Sequence, residues 1–279
     1  MGFPVQGPGS RRIVDEVQHS ERPRPLKQLD IAARPTLLFV VAYALNTTPH
    51  EFTHAFAAWL LGFNATVYQM WVNPDSAAAT PGQLATIAAV GPVFSLSFGV
   101  ICLLFYGARW RTRHAGLLFL MLALVGIDCF LGPIAGAGFG GDFHAALVDL
   151  GAPGWVGIAV SMMGWALLAA FMFCMGWELE GWVPRDFGWI GSVVCSTAAP
   201  ALVGSLLILV LYWPLPRVLV QSTLDGSMLW TFAVMGAAVA FKASGARRPI
   251  SGVTGVDAAV AIAAMVMVRA FAGGIRLAH

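Results

Sequence analysis

The stretch TLLFVVAYALNTTPHEFTH, residues 36–54, decides the fold. Its first half is an uncharged apolar run. Its second half ends in His50-Glu51-Phe52-Thr53-His54, an H-E-x-x-H pentapeptide. Apolar residues resume beyond the motif to about residue 63, so the pentapeptide lies inside a membrane-spanning segment. On a helix, positions four apart are separated by about 400°, which puts both imidazoles on one face, a turn apart. Imidazoles so placed can share one zinc ion, with Glu51 leaning toward the metal's open coordination position. Three ionisable groups in one turn of a bilayer-embedded helix are costly, and they mark a functional site.

Working outward, the rest of the chain agrees with a membrane setting. Of 279 residues, 58% are hydrophobic and only 11% are charged. A soluble domain carries about a quarter charged residues. The chain is therefore expected to be all-α, a polytopic helical membrane protein. Apolar runs of spanning length fall at about 36–63, 83–106, 115–132, 154–176, 193–213 and 228–242, given the roughly 20 residues needed to cross the hydrocarbon core. These make six spans. An Ala-rich run at 257–273 is a seventh span or an interfacial helix. Trp110, Trp155, Trp177, Trp182 and Trp213 sit near span ends, at the headgroup level that indoles favour.

Residues 1–34 carry Arg11, Arg12, Arg22, Arg24, Lys27 and Arg34 among several prolines, and read as a basic, disordered tail. The tail has neither a cleaved signal peptide's apolar core nor, with Gln6, a myristoylation motif. Residues 35–279 are then one transmembrane helical domain with short loops and no repeat. Cys102, Cys129, Cys174 and Cys195 all fall in apolar stretches without C-x-x-C spacing, and read as packing or lipid-facing residues rather than disulfides or metal ligands. Basic residues cluster in the tail, at Arg109, Arg111 and Arg113, and around Lys242, Arg247 and Arg248, whereas 64–82 and 133–153 contain none. Alternation then places the N-terminus in the cytoplasm of a cell-membrane protein, with His50 and His54 toward the outer side. Membrane lipid is the expected surrounding partner, and no nucleic-acid partner is expected.

A catalytic zinc site takes three protein ligands and leaves the fourth position to water. Asp142, in Gly140-Gly141-Asp142-Phe143-His144, ranks first as the third ligand. Its glycines permit a sharp turn, and a non-helical loop at membrane depth is tolerated when buried in protein or lining a wet cavity. The plainer alternative is a solvated loop acid or a helix N-cap for 143–150. Asp128, inside the third span, is the rival, either as ligand or as acceptor for a ligating imidazole's second nitrogen. His144 reads as a ligand, an oxyanion donor or an ordinary loop residue. Glu178 and Glu180 lie in a different loop, on the opposite side by the charge rule.

These residues resemble the site-2 protease family of intramembrane zinc metalloproteases. The resemblance rests on His50-Glu51-Phe52-Thr53-His54 followed by small residues and Leu61-Gly62-Phe63. It extends to Gly91-Pro92 in the next span and to Pro133 ahead of Gly140-Gly141-Asp142, so it covers about 35–150, the expected metalloprotease core. It implies one zinc ion on His50, His54 and Asp142, Glu51 as general base, and membrane-anchored proteins as substrates, cut in or near their spanning helix. Thr53 and Phe143 stand where the family has glycine, and Ser95 or Ser97 where it has asparagine. The family keeps its site nearer the cytoplasm, whereas the charge rule here points outward.

Two functions of different class follow. One is a zinc-dependent metalloendopeptidase. The other is a non-catalytic membrane regulator or a metal or proton transporter, since intramembrane His, Glu and Asp also relay ions. Glu51 favours the enzyme, because metal binding alone does not require it. No paired broken helices of the transporter kind are evident.

Overall fold

A computed structural model describes residues 24–111, 113–182, 188–214, 227–241 and 252–279. Helix α1 runs Arg24–Leu60. Strands β1 (Ala65–Val67) and β2 (Val72–Pro74) form a hairpin. Helix α2 (Pro81–Phe105) ends in a wider π turn, Tyr106–Trp110. Helices α3 (Gly116–Ala135), α4 (Asp142–Asp149) and α5 (Gly154–Glu180) follow. Next come α6 (Gly188–Val193), π turns at Val194–Ala198 and Pro200–Gly204, and α7 (Ser205–Leu211). Helices α8 (Ser227–Phe241) and α9 (Gly255–Ala270) precede strand β3 (Ile275–Leu277).

The protein is a helical membrane protein. Among the described residues, four helices are long and apolar enough to cross a bilayer: Pro81–Trp110, Gly116–Ala135, Gly154–Glu180 and Trp189–Leu211. The expected six or seven spans are not reached by that measure. Helix α1 is long enough, but Asn46, Thr47, Thr48, His50, Glu51 and His54 lower its hydropathy. Helices α8 and α9 have 15 and 16 residues, short of the roughly 20 that a full crossing takes.

Two further expectations need correction. Part of the proposed tail is helix, because α1 begins at Arg24; residues 1–23 lie outside the described residues. The all-α reading misses a three-stranded antiparallel sheet in the order β2-β1-β3. Thr66 pairs with Asn73 on one side and with Arg276 on the other.

Two ends of the molecule are tied differently. At one end the buried Arg34 makes an ion pair with Asp257 at 2.9 Å and donates to the His114 carbonyl at 2.9 Å. Arg111 pairs with Glu178 there, and Tyr106 donates to the same carboxylate at 2.9 Å. This joins the start of α1, the α2–α3 loop, the end of α5 and the start of α9. At the other end lie the sheet and α4. Gln69 donates to the Tyr212 carbonyl just after α7, and Arg269 of α9 donates to the Trp213 carbonyl at 2.7 Å.

Helix α3 is the buried spine between these ends. Leu117, Leu120, Met121 and Leu124 pack with Leu38, Phe39 and Ala42 of α1, and the core extends to Leu168 and Met172 of α5. Helices α2 and α3 touch backbone to backbone, since a Cβ on Gly126 would meet the Gly99 Cα at 2.7 Å. Small residues at such a crossing allow close helix approach inside a membrane. A second, smaller cluster joins Ala55 and Ala58 of α1, Ala65 and Val67 of β1, and Ile87 of α2. It presses the sheet against the helical turn that follows the H-E-x-x-H motif.

Candidate metal centre

Three elements bring the donors together. Helix α1 carries His50 and His54 one turn apart. Pro49 begins that turn; it gives up a helical hydrogen bond, and Thr53 Oγ1 donates to the Pro49 carbonyl at 2.8 Å. The third donor is on the turn into α4. Gly141 adopts φ +85°, a conformation open to glycine, and Asp142 starts the helix. Asp142 is therefore the first helical residue rather than the cap that the plainer reading expected: Gly141 holds the cap position, no side chain caps the helix, and the Asp142 carboxylate reaches the histidines.

His50 Nε2 and His54 Nε2 are 3.1 Å apart. Asp142 Oδ2 is 3.3 Å from the first and 3.6 Å from the second. A tetrahedral zinc with bonds of about 2.0–2.1 Å separates its ligand atoms by about 3.3–3.4 Å. The three edges bracket that value, so the residues fit a zinc ion. Both imidazoles are buried, whereas the Asp142 side chain is one-third exposed. The site thus opens on the α4 side.

The opposite nitrogen of each ring is already engaged. His54 Nδ1 donates to the Ile87 carbonyl at 2.5 Å. A carbonyl only accepts, so the proton is on Nδ1 and the Nε2 lone pair points at the metal position. His50 Nδ1 lies 2.9 Å from Ser95 Oγ, which also accepts from Asn46 Nδ2 at 3.1 Å. A hydroxyl has lone pairs for both donors. A carboxylate must be ionised to serve as the third ligand.

Gly91 forms the wall behind the pair. A Cβ there would land 2.7 Å from His50 Nε2 and closer still to His54 Nε2. Glu51 is half-buried beside the ligands and within electrostatic reach of His50, His54 and Asp142.

Among the described residues the donor cluster is His50, His54 and Asp142. Asp128 stays outside it, and its Oδ1 is buried without a partner. His144 Nδ1 is 3.0 Å from the Ala137 carbonyl and braces its own loop. Glu178 and Glu180 end helix α5 rather than occupying a loop, and Glu178 sits at the Arg34 end, away from the histidines. Sequence reasoning missed the Ile87 carbonyl, because a backbone acceptor leaves no trace in residue identity. Ser95 was visible only as a substitute for asparagine, and Gly91 only as half of a Gly-Pro pair. Comparison with protein-family models, curated proteins and solved structures finds no match.

Proposed function

We propose that the protein is an intramembrane zinc metalloprotease of the site-2 protease kind, hydrolysing peptide bonds of membrane-anchored proteins. The observation that carries this reading is the His50–His54–Asp142 triangle, with edges of 3.1–3.6 Å, next to a carboxylate that is not part of it. His50 Nε2, His54 Nε2 and Asp142 Oδ2 would hold the ion. When bound, zinc supplies a Lewis acid that polarises a carbonyl and lowers the pKa of a coordinated water from about 16 to about 7.

The chain's own residues do the rest. The Glu51 carboxylate takes a proton from the attacking water and returns it to the leaving amine. Ser95 and the Ile87 carbonyl keep both imidazoles turned toward the ion. Asp142 is the one partly exposed ligand of the three, so a substrate carbonyl would approach from its side. A helical substrate hides its carbonyls, so it must unwind to react.

We further propose that α1, α8 and α9 cross the membrane as well, giving seven spans. Support comes from connectivity: α1 and α9 each start at the Arg34–Asp257 end and finish at the sheet end. Helix α8 lies between a segment at the sheet end and one at the Asp257 end. Arg111 shares the Arg34 end, which supports a cytoplasmic N-terminus in the cell membrane and a metal centre toward the outer half.

The test is purified protein in bilayers with single-span model substrates. Glu51→Gln should keep its zinc and lose about 10²–10⁴-fold in cleavage, the usual contribution of general acid–base catalysis. His54→Ala should lose both metal and cleavage. Undiminished cleavage by Glu51→Gln would refute the mechanism. Full biological activity of that variant, with no cleavage by the wild type, would favour a regulator or transporter.

A further inference from the structure

Six buried polar atoms lack a well-formed hydrogen bond in the protein: Asn46 Oδ1, Thr47 Oγ1, Thr48 Oγ1, Gln69 Oε1, Asp128 Oδ1 and Tyr212 OH. Their residues come from α1, the hairpin turn, α3 and the end of α7, yet they are neighbours. Tyr212 is in side-chain contact with Thr48, and Tyr43 with Thr47, without a well-formed hydrogen bond to either threonine hydroxyl. Cys129 lies beside Asn46 and Asp128. Tyr43, Tyr212 and Cys129 are all within electrostatic reach of Glu51. Asn46 is also one helical turn from His50 and shares Ser95 Oγ with it.

Leaving one such atom unpaired in an apolar interior is costly, and lipid offers no substitute partner. A whole cluster of them in one place calls for an occupant able both to donate and to accept. All six atoms are oxygens of amide, hydroxyl and carboxyl groups, which suits small clusters of water with two to four partners each. The apolar helices around this region exclude bulk water, while hydrolysis consumes one water for every bond broken.

We propose that these atoms line a hydrated chamber that stores water for the metal centre and hands it to Glu51. The inference rests on the protease reading for its purpose, though not for its existence. Thr47, Thr48, Tyr212 and Asp128 act here as positioning residues, because they hold water rather than touch the substrate. The chamber lies on the Asn46 side of the motif, so water reaches the centre from within the protein while substrate approaches from the exposed Asp142 side.

The experiment is radiolytic hydroxyl-radical footprinting of the full-length protein in lipid nanodiscs, with oxidation mapped by mass spectrometry. Radicals made from bound water label adjacent side chains that bulk solvent does not reach. Met121 and Met172, fully buried in the apolar core, serve as dry references. Corrected for intrinsic reactivity, Cys129 and Tyr212 should be oxidised at least ten-fold faster than these methionines. The combined substitution Thr48→Val and Tyr212→Phe should cut labelling at Cys129 several-fold and slow peptide hydrolysis at least ten-fold with zinc content unchanged. Thr48→Ser should restore both. Labelling of Cys129 and Tyr212 no faster than that of the methionines would overturn the proposal. So would a doubly substituted protein that melts higher and turns over at the wild-type rate, the behaviour of plain unsatisfied groups. A wild type that labels as expected but cleaves nothing would sink the protease reading and leave the chamber standing.

Discussion

Gly91→Ala adds one methyl group and should dismantle the metal centre while leaving the helix intact. The added Cβ would lie 2.7 Å from His50 Nε2, 2.6 Å from His54 Cε1 and closer still to His54 Nε2. Ordinary contact begins at 3.4 Å, so the imidazoles must retreat by about 0.7 Å or more. Zinc–nitrogen bonds tolerate only about 0.2 Å around their ideal length. Neither ring can retreat freely, because Ser95 and the Ile87 carbonyl hold their far sides. Losing a single outer partner of a ligating histidine costs about 10–100-fold in metal affinity; displacing both ligand nitrogens should cost more than about 100-fold. The backbone pulls the other way, since alanine is favoured over glycine in a helix interior by about 1 kcal/mol. Overpacking of the two buried rings opposes that gain by about 1–3 kcal/mol, so the metal-free protein should stay folded and melt at or slightly below the wild-type temperature. The assay is competition of zinc between the purified protein and a chromophoric chelator, beside thermal unfolding of the metal-free forms. Gly82→Ala is the control, because nothing lies within 4 Å of a Cβ there. Near-native zinc affinity in Gly91→Ala would refute the placement of the site against α2.

Asp142→Asn should abolish stoichiometric zinc binding as read by metal analysis, whereas Asp128→Asn should retain the ion. The reverse pattern would assign the third ligand to Asp128. Ser95→Ala removes the partner of His50 Nδ1 and should weaken zinc about 10–100-fold, measurable by the same chelator competition; an unchanged affinity would show that His50 needs no outer partner. Arg34→Met leaves Asp257 buried without its cation and should lower unfolding stability by about 3–5 kcal/mol. An unaltered denaturation midpoint would mean that this ion pair contributes little to holding the two helices together.

The spans and the site were legible in the sequence to different depths. Apolar runs placed α2, α3, α5 and the α6–α7 segment within a few residues, because a helix in lipid must be apolar along its whole length. The same signal is weak in α1, where the residues that hold metal dilute it. The strands were invisible: three residues apiece, as in Ala65–Val67, are too few for a period of two to register. The i, i+4 histidines could be paired by helix geometry alone. Asp142 could be ranked first from its glycines, but its approach to α1 depends on α2 and α3 crossing at Gly99 and Gly126, a contact between segments that neither encodes singly. The buried pair of Arg34 and Asp257 joins positions 223 apart, and no local pattern links them.

The helix bearing the histidines is fastened at both ends by the same late segment. Asp257 holds Arg34 at its start, and β3 pairs with β1 just past its finish. Every proposed metal ligand, by contrast, lies between residues 50 and 142. During synthesis at about 5–20 residues per second, residue 254 leaves the ribosome on the order of ten seconds after Asp142. Over that interval the ligands exist while their supporting helix lacks both late contacts and relies at its ends on the His114 carbonyl and the β1–β2 hairpin. Order of emergence thus puts all three ligands in place before the late segment can brace their helix. A chain interrupted between Asp142 and Thr254 would carry all three ligands and neither fastening, and it would sit in the membrane as an unfinished site.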